Sequence, residues 1–159
     1  MSTPIDSLLF RRACARFATG VTVATVCGPD GLPHGLTVNS FTSVSLAPPL
    51  VLVCIDYAST VLDLFRASQC YGVNVLDESQ QGISNKFARR GHDQFNGIAW
   101  EPGATGAPLI TGALARFECA VRQTVEAGDH AVFIAEVVRV EYREGRPLLY
   151  FGSGYGRME

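Results

Sequence analysis

Charge is scarce in this chain of 159 residues: only 18% of positions carry Asp, Glu, Lys or Arg, and the formal net charge is -2. Basic residues are scattered apart from pairs such as Arg11-Arg12 and Arg89-Arg90, so the cationic footprint that grips a phosphate backbone is missing. Nucleic-acid binding is not expected. No apolar run approaches the roughly 20 residues that span a bilayer, and no basic segment, apolar segment and small-residue cleavage site open the chain. A cytoplasmic location away from membranes is expected. Five cysteines, an odd number at wide spacing with no C-x-x-C pair, argue against a disulfide framework or a zinc knuckle. There is no G-x-S-x-G elbow, Walker A loop or H-E-x-x-H, which removes support for nucleophilic hydrolysis and metal catalysis. The three histidines, His34, His92 and His130, would all have to converge to hold a metal, and no metal is expected. Gly152, Gly154 and Gly156 imitate part of a dinucleotide fingerprint, but too little chain follows for a helix to receive a pyrophosphate.

What is present fits one domain over 1-159, with 47% hydrophobic residues to build its core. The most informative stretch is GLTVNSFTSVSLAPPLVLVCID, Gly35 to Asp56. It opens with apolar/polar alternation, passes through Asn39, Ser40, Thr42, Ser43 and Ser45, meets Pro48-Pro49 and leaves as an apolar run. That pattern predicts a strand, a polar loop and a buried strand. Neutral donors and acceptors over an apolar floor suit a flat, polar-edged ligand, although Ser and Thr beside proline are also ordinary loop residues. Cys54 lies at the exit of this stretch.

Before it, Thr3-Pro4-Ile5-Asp6 reads as a helix start, and a helix over Pro4 to Ala18 carries an apolar stripe of Ile5, Leu9, Ala13 and Phe17. VTVATV and Leu32 to Phe41 read as strands about a Gly-Pro-Asp-Gly turn. After it, Ser59-Thr60 precede a short helix, where they serve as a plain hydroxyl cap or as a phosphate seat. YGVNVL is a strand, and ESQQGISNKFARR a helix in which Phe87 either joins the core or walls a ring beside Ala88. Gly91 to Pro108 forms a long loop. In the last third, Phe117, Cys119 and Val121 alternate with charged neighbours, and Ala127-Gly128-Asp129 turns into HAVFIAEVVRVEY. There Val132, Ile134, Val138, Val140 and Tyr142 share a face, and Arg146 to Phe151 supplies a last strand. About seven strands and three short helices without βαβ alternation predict a closed antiparallel barrel with peripheral helices. His130 is either a surface turn residue or an imidazole at the barrel rim.

Taken together, the Gly35 to Asp56 stretch, Ser59-Thr60, NVL with Gln80, Ser84 and Phe87-Ala88, GDH before VFIAEV, and PLLYFGSGYG resemble the flavin reductase-like family. These are the small reductase components of two-component flavin-dependent monooxygenases. The resemblance runs through the whole chain in order. It implies a mainly β fold, an FMN-binding split β-barrel with antiparallel, Greek-key-like strands and a few peripheral helices. It also implies a homodimer in which NADH or NADPH reduces FMN or FAD by hydride transfer, the reduced flavin then serving a partner monooxygenase.

The same resemblance assigns Thr37, Val38, Asn39 and Ser40 to the isoalloxazine edge. Ser43, Ser45, Ser59 and Thr60 become candidates for phosphate and ribityl contacts, and Cys54, Phe87 and Ala88 for the flavin surroundings. His130 is expected to position the nicotinamide, with Tyr155 on the same side. Lys86, Arg89 and Arg90 compete for the phosphate. Hydride transfer is performed by the two cofactors, so alignment and hydrogen bonds to the flavin edge replace a nucleophile or strong base. Two alternatives accompany this expectation: a flavin-bound reductase of another acceptor, such as a corrinoid or iron complex, and a non-catalytic flavin-binding module.

Overall fold

The computed structural model describes residues 3–91 and 93–159. Its centre is a seven-stranded antiparallel sheet in the order β3-β2-β6-β9-β10-β5-β4. These strands are β2 (Thr22–Cys27), β3 (Pro33–Val38), β4 (Thr42–Leu46), β5 (Pro49–Asp56), β6 (Cys70–Val75), β9 (Ala115–Ala127) and β10 (His130–Tyr142). The sheet curls until β3 packs against β5, which leaves a barrel split between its two edge strands. A small sheet joins β1 (Thr19–Gly20), β11 (Leu149–Phe151) and β12 (Gly154–Gly156), and β7 (Trp100–Pro102) pairs with β8 (Pro108–Ile110). Three helices lie around these sheets: α1 (Ser7–Cys14), α2 (Leu62–Ala67) and α3 (Gln81–Phe87).

Two clusters form the core. Inside the barrel Phe65 of α2 stands 5.8 Å from the rings of both Tyr71 and Phe133, and the buried Tyr71 hydroxyl donates to the Phe133 carbonyl at 2.9 Å. Burial also pushes the Tyr71 phenol well above its ordinary pKa, so it remains a neutral donor. The second cluster, Val21, Val23, Leu76, Phe87, Ile110 and Leu148, lies where α3 meets the sheet. Buried Asn74 fixes β8 over β6: its amide donates to the Val23 carbonyl at 3.1 Å and its oxygen accepts the Ile110 N–H at 2.8 Å. With every amide function partnered, such a group orients the sheets without an unsatisfied-burial cost.

Several sequence expectations are corrected by this architecture. The first helix is shorter than Pro4 to Ala18, and Asp6 caps it by accepting the Leu9 N–H at 2.9 Å. Its apolar stripe is unburied: Ile5, Leu9 and Phe17 are exposed, Phe17 by 79%. The polar stretch after Asn39 is partly strand, because Thr42–Leu46 pairs with β5 instead of forming a loop. The N-cap of α2 is Val61, which makes no side-chain cap bond, although Ser59 Oγ accepts the Val61 N–H at 3.4 Å. The loop from Gly91 to Pro108 contains β7. On β10 the buried side chains are Ala131, Phe133 and Ala135, whereas Val138, Val140 and Tyr142 are exposed. Apolar side chains on both faces of the strand made its inner face ambiguous, and a bulge at Val137/Arg139 shifts the register midway.

Candidate functional site

Strand register builds the site. β10 pairs with β5 so that His130 opposes Asp56 and Val132 opposes Cys54. A two-residue turn, Gly128-Asp129, joins β9 to β10, with Gly128 at a φ of 61° that suits glycine in a tight hairpin. His130 is thereby delivered to the end of the barrel beside the last residue of β5. On the other side of the opening, β3 runs out through Thr37 and Val38, and Ser84 of α3 and its C-cap Ala88 line the cavity.

A cavity of about 360 Å³ lies between these elements. Its walls include Thr37 to Ser40, Cys54, Asp56, Ser84, Ala88 and His130, together with Tyr150 and Tyr155 of the small sheet. A second cavity of about 210 Å³ adjoins it, sharing Leu36, Thr37, Asp56 and Ala88. Ser59, Thr60, Phe87, Arg89, Arg90 and Gln94 surround this smaller space.

The hydroxyls of the larger cavity are held by specific partners. Thr37 Oγ1 donates to the Ser84 carbonyl at 2.7 Å, and Ser84 Oγ shares a 2.7 Å hydrogen bond with the Tyr155 hydroxyl. Ser40 Oγ donates to the Cys54 carbonyl at 2.9 Å and accepts the Cys54 N–H at 3.1 Å. The Val38 carbonyl receives Thr22 Oγ1 at 2.9 Å. Exposed Asn39 therefore stands between anchored neighbours. Fixed dipoles of this kind need little reorganisation when a ligand arrives.

Titratable groups are few. Burial pushes the Cys54 thiol above its ordinary value, which keeps it neutral and unsuited to nucleophilic attack. His130 Nδ1 lies 2.7 Å from Asp129 Oδ1. That hydrogen bond holds the Asp129 carboxyl below the usual carboxylate range. An ionised carboxylate can only accept, so Nδ1 donates in this hydrogen bond and Nε2 faces away from Asp129. Asp56 borders both cavities and uses Oδ1 to accept the Ala58 N–H at 2.8 Å. Among the described residues no hydroxyl or thiol of the site is paired with a base, so the arrangement favours gripping a planar ligand with polar edges over acyl or phosphoryl transfer.

Thr37, Val38, Asn39, Ser40, Cys54, Ala88, His130 and Tyr155 all meet at the larger cavity, and Ser59, Thr60, Phe87 and Ala88 at the smaller. Ser43 and Ser45 line neither: they lie on edge strand β4, whose pairing carries them past the opening. Of the three basic candidates, Arg89 and Arg90 border the smaller cavity, while Lys86 Nζ donates to the Asn96 carbonyl. His92 lies outside the described residues. Sequence reasoning missed Asp56, Leu36, Val21 and Tyr150. Asp56 had a usable signal, because residues two apart on β5 share a face and Cys54 was already a candidate.

A protein-family model described as the flavin reductase like domain matches residues 14–159. The chain belongs to the flavin reductase-like family. Among its relatives, "FMN reductase (NADH) SmoA" of Agrobacterium fabrum is 43% identical over 96% of this chain and 86% of its own length. "Flavin-dependent monooxygenase, reductase subunit HsaB" of Rhodococcus jostii is 39% identical over 98% of this chain and 80% of its own. A solved structure described as Streptomyces globisporus NADH:FAD oxidoreductase SgcE6 "in complex with NAD and FAD fragments" superposes with a TM-score of 0.93 at 39% identity. That match covers 100% of this chain and 96% of the other. Other relatives are longer: this chain spans 48% of a probable flavin reductase of Rhizobium meliloti that is 41% identical to it. The split barrel is thus the family's own fold, and the two joined cavities occupy its open end.

Proposed function

We propose that this protein is an NADH-dependent flavin reductase that reduces FMN or FAD and supplies the reduced flavin to a partner monooxygenase. The observation that carries the reading is the pair of joined cavities: one walled mostly by uncharged polar and apolar side chains, the other flanked by Ser59, Thr60, Arg89 and Arg90. That division suits a flavin, whose ring needs apolar walls and edge hydrogen bonds and whose phosphate needs charge-assisted donors. When bound, the flavin supplies the hydride acceptor and NADH the donor.

The protein's own part is alignment. Thr37, Val38, Asn39 and Ser40 lie along the ring edge, with Cys54 and Ala88 against the ring and Ser59 and Thr60 at the ribityl-phosphate end. Arg89 and Arg90 meet the phosphate in preference to Lys86, which is already engaged by the Asn96 carbonyl. His130, fixed by Asp129, positions the nicotinamide through Nε2, and Tyr155 flanks it. NADH is the favoured donor because the relatives' own descriptions name it.

A homodimer is part of the proposal. It is supported by apolar side chains left uncovered on α1, on β4, where Leu46 is 94% exposed, and on the far half of β10. A single cytoplasmic domain agrees with cysteines that are all free.

The test is NADH oxidation followed at 340 nm with added FMN or FAD. Saturable, flavin-dependent oxidation supports the proposal, and flavin binding without NADH oxidation refutes it. Removing a charge-assisted contact costs about 1.5–3 kcal/mol, so Arg89→Ala or Arg90→Ala should weaken FMN binding at least tenfold. Lys86→Ala should leave that affinity within about twofold.

A further inference from the structure

Outside both cavities, three side chains from separate elements meet at the tip of the β9–β10 hairpin. Glu126, next to the end of β9, accepts the Tyr57 hydroxyl and an N–H of Arg66 at 3.1 Å; its second oxygen lies 3.0 Å from the same Arg66 nitrogen. Arg66 also stands over the Tyr57 ring, 5.6 Å from its centroid. Tyr57 follows directly on β5, and its backbone N–H donates to the Asp129 carbonyl at 3.0 Å. Arg66 lies in the last turn of α2, a helix anchored in the barrel by buried Leu62 and Phe65.

Among the described residues, little else packs on this tip. β9 is exposed from Gln123 to Ala127, so apart from the strand ladder and the charge of Arg11 near Asp129, the hairpin end is tied to the body through these three side chains and the Tyr57–Asp129 bond. The turn between carries the Asp129–His130 pair, and the segment to which it is tied, Asp56 to Thr60, borders the cavities. Ladder ends without side-chain packing open more readily than core strands.

We infer that Tyr57, Arg66 and Glu126 form a clamp that positions His130 against the donor nucleotide. The clamp touches neither ligand cavity. It acts through the turn, so its main effect falls on nucleotide affinity, with a smaller one on the flavin through the Asp56 to Thr60 segment. This rests on the proposed role of His130. Exposed ion pairs are individually weak, and the expected effect is correspondingly modest.

The test is steady-state kinetics of the full chain with NADH and FMN for Glu126→Ala, Tyr57→Phe, the double variant and His130→Ala, together with hydrogen exchange at the Tyr57 amide. Glu126→Ala should raise the NADH KM about fivefold, with kcat and the FMN KM within about twofold of wild type. Tyr57→Phe should raise the NADH KM about twofold, and the double variant should be no worse than Glu126→Ala, since both remove one interaction. Faster exchange at the Tyr57 amide in Glu126→Ala, with core amides unchanged, supports the clamp without reference to turnover. An unchanged NADH KM in Glu126→Ala, with a raised one in His130→Ala, overturns the clamp and spares the reading of His130. Unchanged values in both overturn the reading and the inference with it. If Glu126→Ala does not fold, Tyr57→Phe decides by the same two readouts, because it deletes a single exposed oxygen.

Discussion

Tyr155→Phe deletes one oxygen at the wall of the larger cavity, and the structure sets what that deletion costs. Ser84 is 0% exposed, and its hydroxyl is paired with the Tyr155 hydroxyl at 2.7 Å. Without that partner a buried hydroxyl is left unmatched, a penalty of about 1–3 kcal/mol. Tyr155 is half-buried and faces the cavity, so water can take up part of the lost bond. The expected loss is then about 1–2 kcal/mol, or a fall in Tm of about 3–6 °C for a chain of this size.

Removing both ends of the bond should be milder than removing one. Ser84→Ala/Tyr155→Phe should recover to within about 0.5 kcal/mol of wild type, because no buried polar group is then left without a partner. Ser84→Ala alone should be nearly neutral, since the Tyr155 hydroxyl keeps access to cavity water. The assay is urea unfolding of all four proteins followed by far-ultraviolet circular dichroism, read as a double-mutant cycle. Additive losses in the double variant, with no coupling, would refute the argument that the cost of Tyr155→Phe lies in leaving the buried Ser84 hydroxyl without its partner.

Two further outcomes follow from the structure. Phe87 is 2% exposed, stacks edge-on against Phe95 at 4.8 Å and walls the smaller cavity, so Phe87→Ala should cost about 3–5 kcal/mol by urea unfolding. Its FMN affinity should fall with it, measured by flavin fluorescence on the folded fraction. Asp77 has its carboxyl held below the ordinary range, first by the Ser79 N–H, then by the Ser79 hydroxyl and Arg143. Because the folded pKa is depressed, this stabilisation is complete above the unfolded carboxyl value of about 3.9 and is lost as pH falls through the lower folded value. Asp77→Asn should therefore show a shallower loss of Tm below pH about 4 than wild type. At pH 7 it should be destabilised by no more than about 1 kcal/mol, since Asn caps nearly as well.

The order and type of most strands were legible in the sequence. Period-two alternation in Phe117, Cys119 and Val121 and the β-branched VTVATV run are local signals, and backbone geometry alone makes them strands. Scattered charge and the absence of any nucleophile motif were likewise local, and by themselves they narrowed the chemistry. The separated motifs that carried the family resemblance needed no tertiary contacts either. That Thr37 to Ser40, Cys54 and His130 belong to one site was legible because those residues sit in short motifs whose order survives folding, and the larger cavity does bring them together.

Only the tertiary structure could decide what depends on pairing between distant segments. Edge pairing of Thr42–Leu46 with β5 took Ser43 and Ser45 away from the opening, although their composition matched that of Ser40. Register brought Asp56 opposite His130, two residues far apart in the chain. The Asn96 carbonyl claimed Lys86 and left Arg89 and Arg90 at the smaller cavity. Helix periodicity in α1 announced an apolar face but not its burial, because amphipathicity states which side seeks a partner and not whether this chain supplies one. Local propensity is written residue by residue, whereas strand register, side-chain competition and burial are properties of contacts that exist only once the barrel has closed.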